Sequence, residues 1–314
     1  MLAMSQHEWG DSEAVIRPTE VPVPEPVFGE VRVEVAAAGV NPVDVYTRRG
    51  LAYNSVLSLP FVNGWDVSGT VTEVGYGVAR FRPGDRVFGM PRFPHAAGCY
   101  AEYVTAPARH LARLPDELSW VEGAALPLAG LTAWQMLVEV AQVSAGQRVL
   151  VTAAAGGVGH LAVQIAKARG AHVIGAARSA KHGLLRELGA DETVDYTVTD
   201  LAGHVREVDV VIQMFGGEQG VANLGCLRPG GILVSAQGAW TPGLHERADE
   251  RGVRAVSYLV DPDGAGLEAL ADLVRKGLLR VHVERVFPLA EAAAAHRLSA
   301  EGRTTGKIVL LVGA

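Results

Sequence analysis

"RVLVTAAAGGVGHLAVQIAKARG", residues 148–170, opens on an apolar run, passes through a cluster of glycines and leaves along a stretch with helical spacing. A strand that must turn sharply, bring its backbone near a pyrophosphate and start a helix packed on the sheet needs positions without a Cβ, and Gly156, Gly157 and Gly159 supply them. Val158 stands among these glycines at the start of the helix, where free N–H groups face bound phosphate. Leu161, Ile165 and Ala168 follow at helical spacing, and Gly170 is the expected stop. The spacing is not strict GxGxxG, so a close-packed turn is the competing reading; the strand before and the helix after favour a dinucleotide site.

Outward from this stretch, from about Ser119 to Val260, strand-like runs (RVLVTAA, HVIGAA, ETVDY, VDVVIQM, GILVSAQ, RAVSYLV) alternate with helical segments, the pattern of a parallel sheet with crossover helices. Residues 1 to about 118 read differently, as short β-rich runs such as EVRVEVAAAGV, VSGTVTEVG and DRVFGM divided by Pro and Gly turns. The tail adds helix-like GLEALADLVRKG and AEAAAAHRLSAEG and a final apolar KIVLLVG. The fold expected is α/β: a doubly wound parallel sheet joined to a mostly β domain.

With 314 residues, 49% of them apolar, the chain has enough material for two packed domains, and a formal charge of −6 gives no basic field for nucleic acid or anionic lipid. A small-molecule partner is expected. The start, MLAMSQHEWGDSE, has no basic segment followed by an apolar core, and no charge-free apolar run reaches about 18 residues, so the expected location is the cytoplasm. Cys99 and Cys226 lie too far apart for a Cys-rich zinc site or a disulfide framework and read as small packed residues.

An NAD-specific site places an acidic residue about 20 residues after the glycines to hold the ribose hydroxyl. Here that region reads GAARSAKH, with no carboxylate, while Arg178, Ser179 and Lys181 offer charge and hydrogen bonds to a 2′-phosphate. NADPH is therefore the expected coenzyme; the alternative is that Ser179 caps the next helix and the two cations are solvated. Loops at the carboxyl ends of strands line the crevice of such sheets, which selects Phe215 and Gly216 in MFGGE and Gly238 and Trp240 in SAQGAW.

VTAAAGGVG, GVNPVDVYTRRG, GWDVSGTVTEVG, FRPGDRVFG, LPLAGLTAW and GRTTGKIVL together resemble the zinc-free quinone oxidoreductase (zeta-crystallin-like) branch of the medium-chain dehydrogenase/reductase superfamily, over nearly the whole chain. That resemblance implies a GroES-like catalytic domain from residues 1–118 with 262–314 returning to it, a Rossmann domain over 119–261, an active site in the cleft they form, and a homodimer. For the dimer, RAVSYLV as an edge strand is the surface that pairing with a second copy would cover. Zinc-dependent relatives carry a Cys where Asn41 stands and a His-Glu pair where Trp65-Asp66 stand, and neither Asn nor Trp replaces a thiolate or imidazole ligand. No metal is expected, and His95 and His110 read as surface or packing residues.

Without a Lewis acid, an electron-poor conjugated acceptor is the better hydride acceptor than a simple ketone. The resemblance thus implies NADPH-dependent reduction of quinones or α,β-unsaturated carbonyls, with Asn41 and Tyr46 near nicotinamide and substrate and Thr132 near the nicotinamide end. Tyr53 is a further catalytic candidate in a loop that departs from family spacing, and Trp134 stands where relatives often have Tyr. Tyr196 matches a family position at the adenosine end and reads equally as a strand-end core tyrosine. An enoyl-thioester reductase and a non-enzymatic NADPH-binding protein are the rival functions.

Overall fold

The computed structural model describes residues 1–237 and 240–313. They pack as two units: Met1–Leu131 with Asp261–Arg275 and the chain from Val281 onward, and Thr132–Val260 with Lys276–Arg280.

In the first unit the alternation of EVRVEVAAAGV does what period two predicts: Val31, Val33 and Val35 of strand Glu30–Val40 are buried in the core, and Glu34 between them is exposed. This strand is central to a seven-stranded sheet in the order Val283–Pro288, Lys307–Leu311, Glu30–Val40, Asp66–Val74, Arg86–Gly89, Leu111–Arg113, with Tyr103–Pro107 also paired to Glu30–Val40. Register places the chemistry. Ile308 lies opposite Val40 on one side and Asp66 opposite Gly39 on the other, so Asn41, Asp66 and Lys307 converge at one corner. Gly39 makes room there, because a Cβ on it would stand 2.3 Å from the Ala124 carbonyl oxygen and 2.8 Å from Asp66 Oδ2. A smaller antiparallel sheet, Ile16–Glu20, Leu2–Gln6, Phe61–Val62, shares the core through Met4 and Ile16.

In the second unit six strands, all parallel, follow the order Glu192–Val194, His172–Ala176, Arg148–Val151, Val208–Gln213, Leu227–Ser235, Arg254–Ser257. Inner strands such as RVLV and VDVVIQ are apolar in runs, as strands covered on both faces must be. Strand order reverses beside Arg148–Val151, the switch point where a doubly wound sheet opens a ligand crevice. The expected α/β architecture, a doubly wound sheet with a mostly β companion, is the one found. RAVS forms a sheet edge. Among the described residues, no helix is long and apolar enough to cross a membrane.

Two histidines of the first unit are held neutral. Burial, reinforced by Arg109 and Arg92, lowers His110 to about 4, and its Nδ1 accepts the Arg92 N–H at 3.0 Å; burial, reinforced by Arg48, lowers His296 to about 3. The unfolded chain takes up protons near the ordinary value of 6.5 while the folded one does not, so stability is full above 6.5 and is lost as pH falls through about 4 and about 3. Denaturant midpoints measured from pH 7 to pH 4 should therefore fall, and fall less steeply in His110→Asn, which keeps an acceptor for Arg92 and removes the titration. An unchanged slope in the variant would show that His110 is not held neutral.

Candidate coenzyme-binding and active-site residues

The convergence of three strand ends buries a polar group of unusual density. Lys307, 3% exposed, donates to Asn41 Oδ1 and stands 3.5 Å from Asp66 Oδ2. Asp66, 0% exposed, also accepts from Asn41 Nδ2 at 2.9 Å and from the Leu128 N–H at 2.8 Å. Burial pushes the Asp66 carboxyl up and the Lys307 ammonium down, each opposed by the other's charge. Three donors spread over both oxygens of Asp66 are the surroundings of a carboxylate. The Asn41 amide is thereby oriented, with its oxygen on Lys307 and its nitrogen on Asp66.

Asn41 also precedes the helix Pro42–Arg48, where Pro42 suits the first turn and Asp44 Oδ2 accepts the Asn41 N–H at 2.7 Å. Asp44 is buried on this helix, and Tyr46, two residues on, is 41% exposed. Tyr53 sits in the following loop with a left-handed φ of +59°, a conformation that costs a side chain about 1–3 kcal/mol and collects at functional sites. Its ring meets Trp65 and Phe93 edge-on, with centroids 6.3 and 5.4 Å away, and Trp65 and Phe93 meet each other at 5.2 Å. Partial burial pushes the Tyr53 phenol up.

The residues at this corner do not suit zinc. Of the three positions compared with zinc-dependent relatives, Trp65 has no lone pair to give and donates its indole N–H to the His95 carbonyl at 2.8 Å. Asn41 Oδ1 and Asp66 are engaged by the Lys307 ammonium, which a divalent cation would have to displace.

In the second unit the glycine turn after Arg148–Val151 begins with Ala153 at φ +46°, a left-handed residue that the sequence did not reveal because alanine occupies it. The helix Gly159–Ala168 then starts against this turn: a Cβ on Gly159 would lie 2.3 Å from the Ala153 carbonyl oxygen. Among the described residues, the N–H groups of Gly157, Val158 and Gly159 have no backbone acceptor, whereas His160 N–H returns to the Gly156 carbonyl at 3.0 Å. Together they form an anion-accepting helix start with backbone close at hand, which fits a pyrophosphate. Thr152 Oγ1, not singled out in the sequence, accepts the Met214 N–H at 3.0 Å and ties the first strand's end to the fourth's.

Arg178 and Ser179 are exposed beyond His172–Ala176, and Lys181 is half-buried in the short turn Ser179–Lys181 that Arg178 precedes. Ser179 thus begins that turn and does not cap the helix His182–Glu187. Its N–H donates to Asp195 Oδ2 at 2.8 Å. Hydrogen bonds from Thr197 and Ser179 hold the Asp195 carboxyl well below the usual range. Asp195 places a negative charge beside Ser179, and nothing in the local sequence marks it. Tyr196 packs against the unit's core. Phe215 and Gly216 follow Val208–Gln213, and Trp240 is 61% exposed; Gly238 lies outside the described residues. Thr132 is buried in the helix Pro127–Trp134, which continues as the π-helical turn Gln135–Val140.

Comparison with known proteins agrees with this geometry. Residues 28–116 match the alcohol dehydrogenase GroES-like domain, and residues 188–310 match the family described as zinc-binding dehydrogenase. A 2-haloacrylate reductase from Burkholderia sp is 36% identical over 317 residues, covering 93% of each chain. The quinone oxidoreductase of Coxiella burnetii superposes with a TM-score of 0.93 at 36% identity over 99% of both chains. A mycobacterial protein solved in complex with NADPH superposes with a TM-score of 0.89 at 34% identity, covering 99% of this chain and 100% of that one. Related along nearly its full length to such enzymes, the chain is an oxidoreductase and belongs to the quinone oxidoreductase (zeta-crystallin-like) branch of the medium-chain dehydrogenase/reductase superfamily.

Proposed function

We propose that the protein is an NADPH-dependent reductase of quinones or α,β-unsaturated carbonyls that works without a metal. The observation that carries the coenzyme reading is the helix start at residues 157–159, whose N–H groups have no backbone acceptor among the described residues, with Arg178, Ser179 and Lys181 beyond the next strand. Bound there, the coenzyme supplies hydride. The pyrophosphate would lie on the amides of the glycine turn, and the 2′-phosphate would meet Arg178 and Lys181 against the opposing charge of Asp195. Phe215, Gly216, Gly238, Trp240 and Tyr196 are proposed neighbours of the coenzyme, with Thr132 and Asn41 toward its nicotinamide end.

On the first unit, Tyr46 is open to an acceptor, and Tyr53 remains protonated because burial raises its phenol, so either can donate to an oxygen on which negative charge develops. Lys307 and Asp66 hold the Asn41 amide in one orientation, which favours a fixed polar wall over a metal-assisted site. A homodimer through the Arg254–Ser257 edge and a cytoplasmic location belong to the same proposal.

Coenzyme titration should show NADPH binding tighter than NADH. Arg178→Ala should shrink the gap by about 10-fold, the loss of one charge-assisted contact, and Asp195→Asn should widen it by removing a like charge. Equal affinities in the unaltered protein would reject the 2′-phosphate reading.

Coenzyme oxidation measured after chelator dialysis, with a quinone, an enone and an enoyl thioester offered in turn, tests the reaction itself. The quinone or enone should be reduced at full rate, and Tyr46→Phe or Tyr53→Phe should lower kcat/KM about 10- to 1000-fold with coenzyme affinity unchanged. Preference for the thioester, or restoration by zinc of activity lost to the chelator, would overturn the assignment.

A further inference from the structure

The helix Pro42–Arg48 buries an acid whose two oxygens are treated unequally. Asn41 N–H and Tyr100 Oη–H both reach Asp44 Oδ2, at 2.7 and 3.2 Å, and His296 Nε2 stands 3.3 Å from Tyr100 Oη. Since the tyrosine proton goes to Asp44, the imidazole donates to the tyrosine, and the chain runs His296 to Tyr100 to Asp44. Among the described residues, Asp44 Oδ1 is buried without a hydrogen-bond partner, and so is Thr47 Oγ1 on the same helix. Both residues line a cavity beside Trp65 whose space for a water centre is about 10 Å³, near the amount one molecule needs, and which reaches the exposed Ala96.

Charge balance distinguishes Asp44 from Asp66. Lys307 is the cation set against both carboxyls, and it lies on Asp66, which has donors at both oxygens. Donors at one oxygen and none at the other leave the second oxygen free to carry a proton, which the three donors around Asp66 do not. We propose that Asp44 rests as the acid, that its Oδ1–H and Thr47 Oγ1 bind one water molecule in this cavity, and that this water hands on the proton that the reduction consumes. The last step rests on the reductase reading above.

The balance is simple. Hydride brings two electrons to the acceptor, the water gives its proton to the resulting anion as it takes the Oδ1 proton, and Asp44 is left as a carboxylate that solvent reprotonates past Ala96. The groups facing it permit this. Burial raises the Asp44 carboxyl to about 7, the Asn41 N–H opposes, Asp66 adds to the rise, and Lys307 and Tyr100 oppose it. Cys99 is buried with its thiol pushed well up, and His296 stays neutral, so neither competes for the proton near neutrality.

Infrared titration of the full chain tests the acid without turnover. A protonated-carboxyl band should disappear with a midpoint near pH 7 and be missing from Asp44→Asn, which keeps an acceptor for Asn41 and Tyr100. No such band overturns the proposal. Kinetically, kcat should fall as pH rises through about 7 in the unaltered protein. In Asp44→Asn it should be about 100-fold lower and flat with pH, coenzyme affinity holding, the scale of a lost general acid. Thr47→Val should reproduce part of the loss and Thr47→Ser restore it, which keeps the test open if Asp44→Asn does not fold. Retention of kcat and its pH profile in Asp44→Asn, or equal rates for the two Thr47 variants, would overturn the proton delivery. If no acceptor is reduced by the unaltered protein, the reductase reading and the delivery fall together, and the infrared band alone decides the acid.

Discussion

An ammonium sealed from water is tolerable only where its charge and its N–H groups are answered, and Lys307 is the group around which the first unit is arranged. Its position at the start of the last strand, beside Asn41 and against Asp66, requires the antiparallel pairing of Lys307–Leu311 with Glu30–Val40 and the seating of Asp66 opposite Gly39. A side chain at Gly39 would meet the Asp66 carboxylate, and a slip of one residue in either pairing would turn a charge toward the core without its partner. The register of three strands and the polar corner are thus one constraint. Removing one member would leave the others buried and uncompensated, a cost of about 3–5 kcal/mol for such pairs.

The second unit meets a different constraint, a helix start whose Gly157, Val158 and Gly159 N–H groups find no backbone acceptor among the described residues. Left-handed Ala153 and the bare Gly159 bring the helix start against the strand end, and Thr152 fastens that end to the neighbouring strand. Beyond the strand His172–Ala176, Asp195 holds the Ser179 N–H, so the positive charge of Arg178 and Lys181 is set beside a carboxylate that accepts from within the chain.

The parallel sheet, the β-rich unit and the glycine turn were legible because each is written in local spacing: apolar runs, period-two alternation, missing Cβ atoms. Asn41 and Trp65 were legible as the wrong residues for zinc. Lys307 was not, because a lysine opening a terminal apolar strand reads as a surface charge until pairing with Glu30–Val40 encloses it; the apolar run immediately after it was the available hint. The Tyr100–His296 contact joins positions 196 apart, and Thr47 is a common helix residue, so neither announces itself locally. Ser179 was read as a possible helix cap and instead opens a tight turn, since Arg178 is the extended residue before it. Asp195 was not legible because its tie to the Ser179 N–H joins positions 16 apart.

Lys307 follows Asn41 by 266 positions, with the whole parallel-sheet unit synthesised between them. While the ribosome is still making that stretch, the early helix and strand that carry Asp44 and Asp66 lack Lys307, the cation set against both carboxyls. The parallel-sheet unit, contiguous but for Lys276–Arg280, has most of its contacts available first. Vectorial synthesis therefore orders assembly: the corner stays open to water until the last strand arrives, and closing it is a late, long-range event. A nascent chain stalled before residue 307 would hold its first half in a hydrated, incompletely packed form, the stage at which chaperones have most to grip.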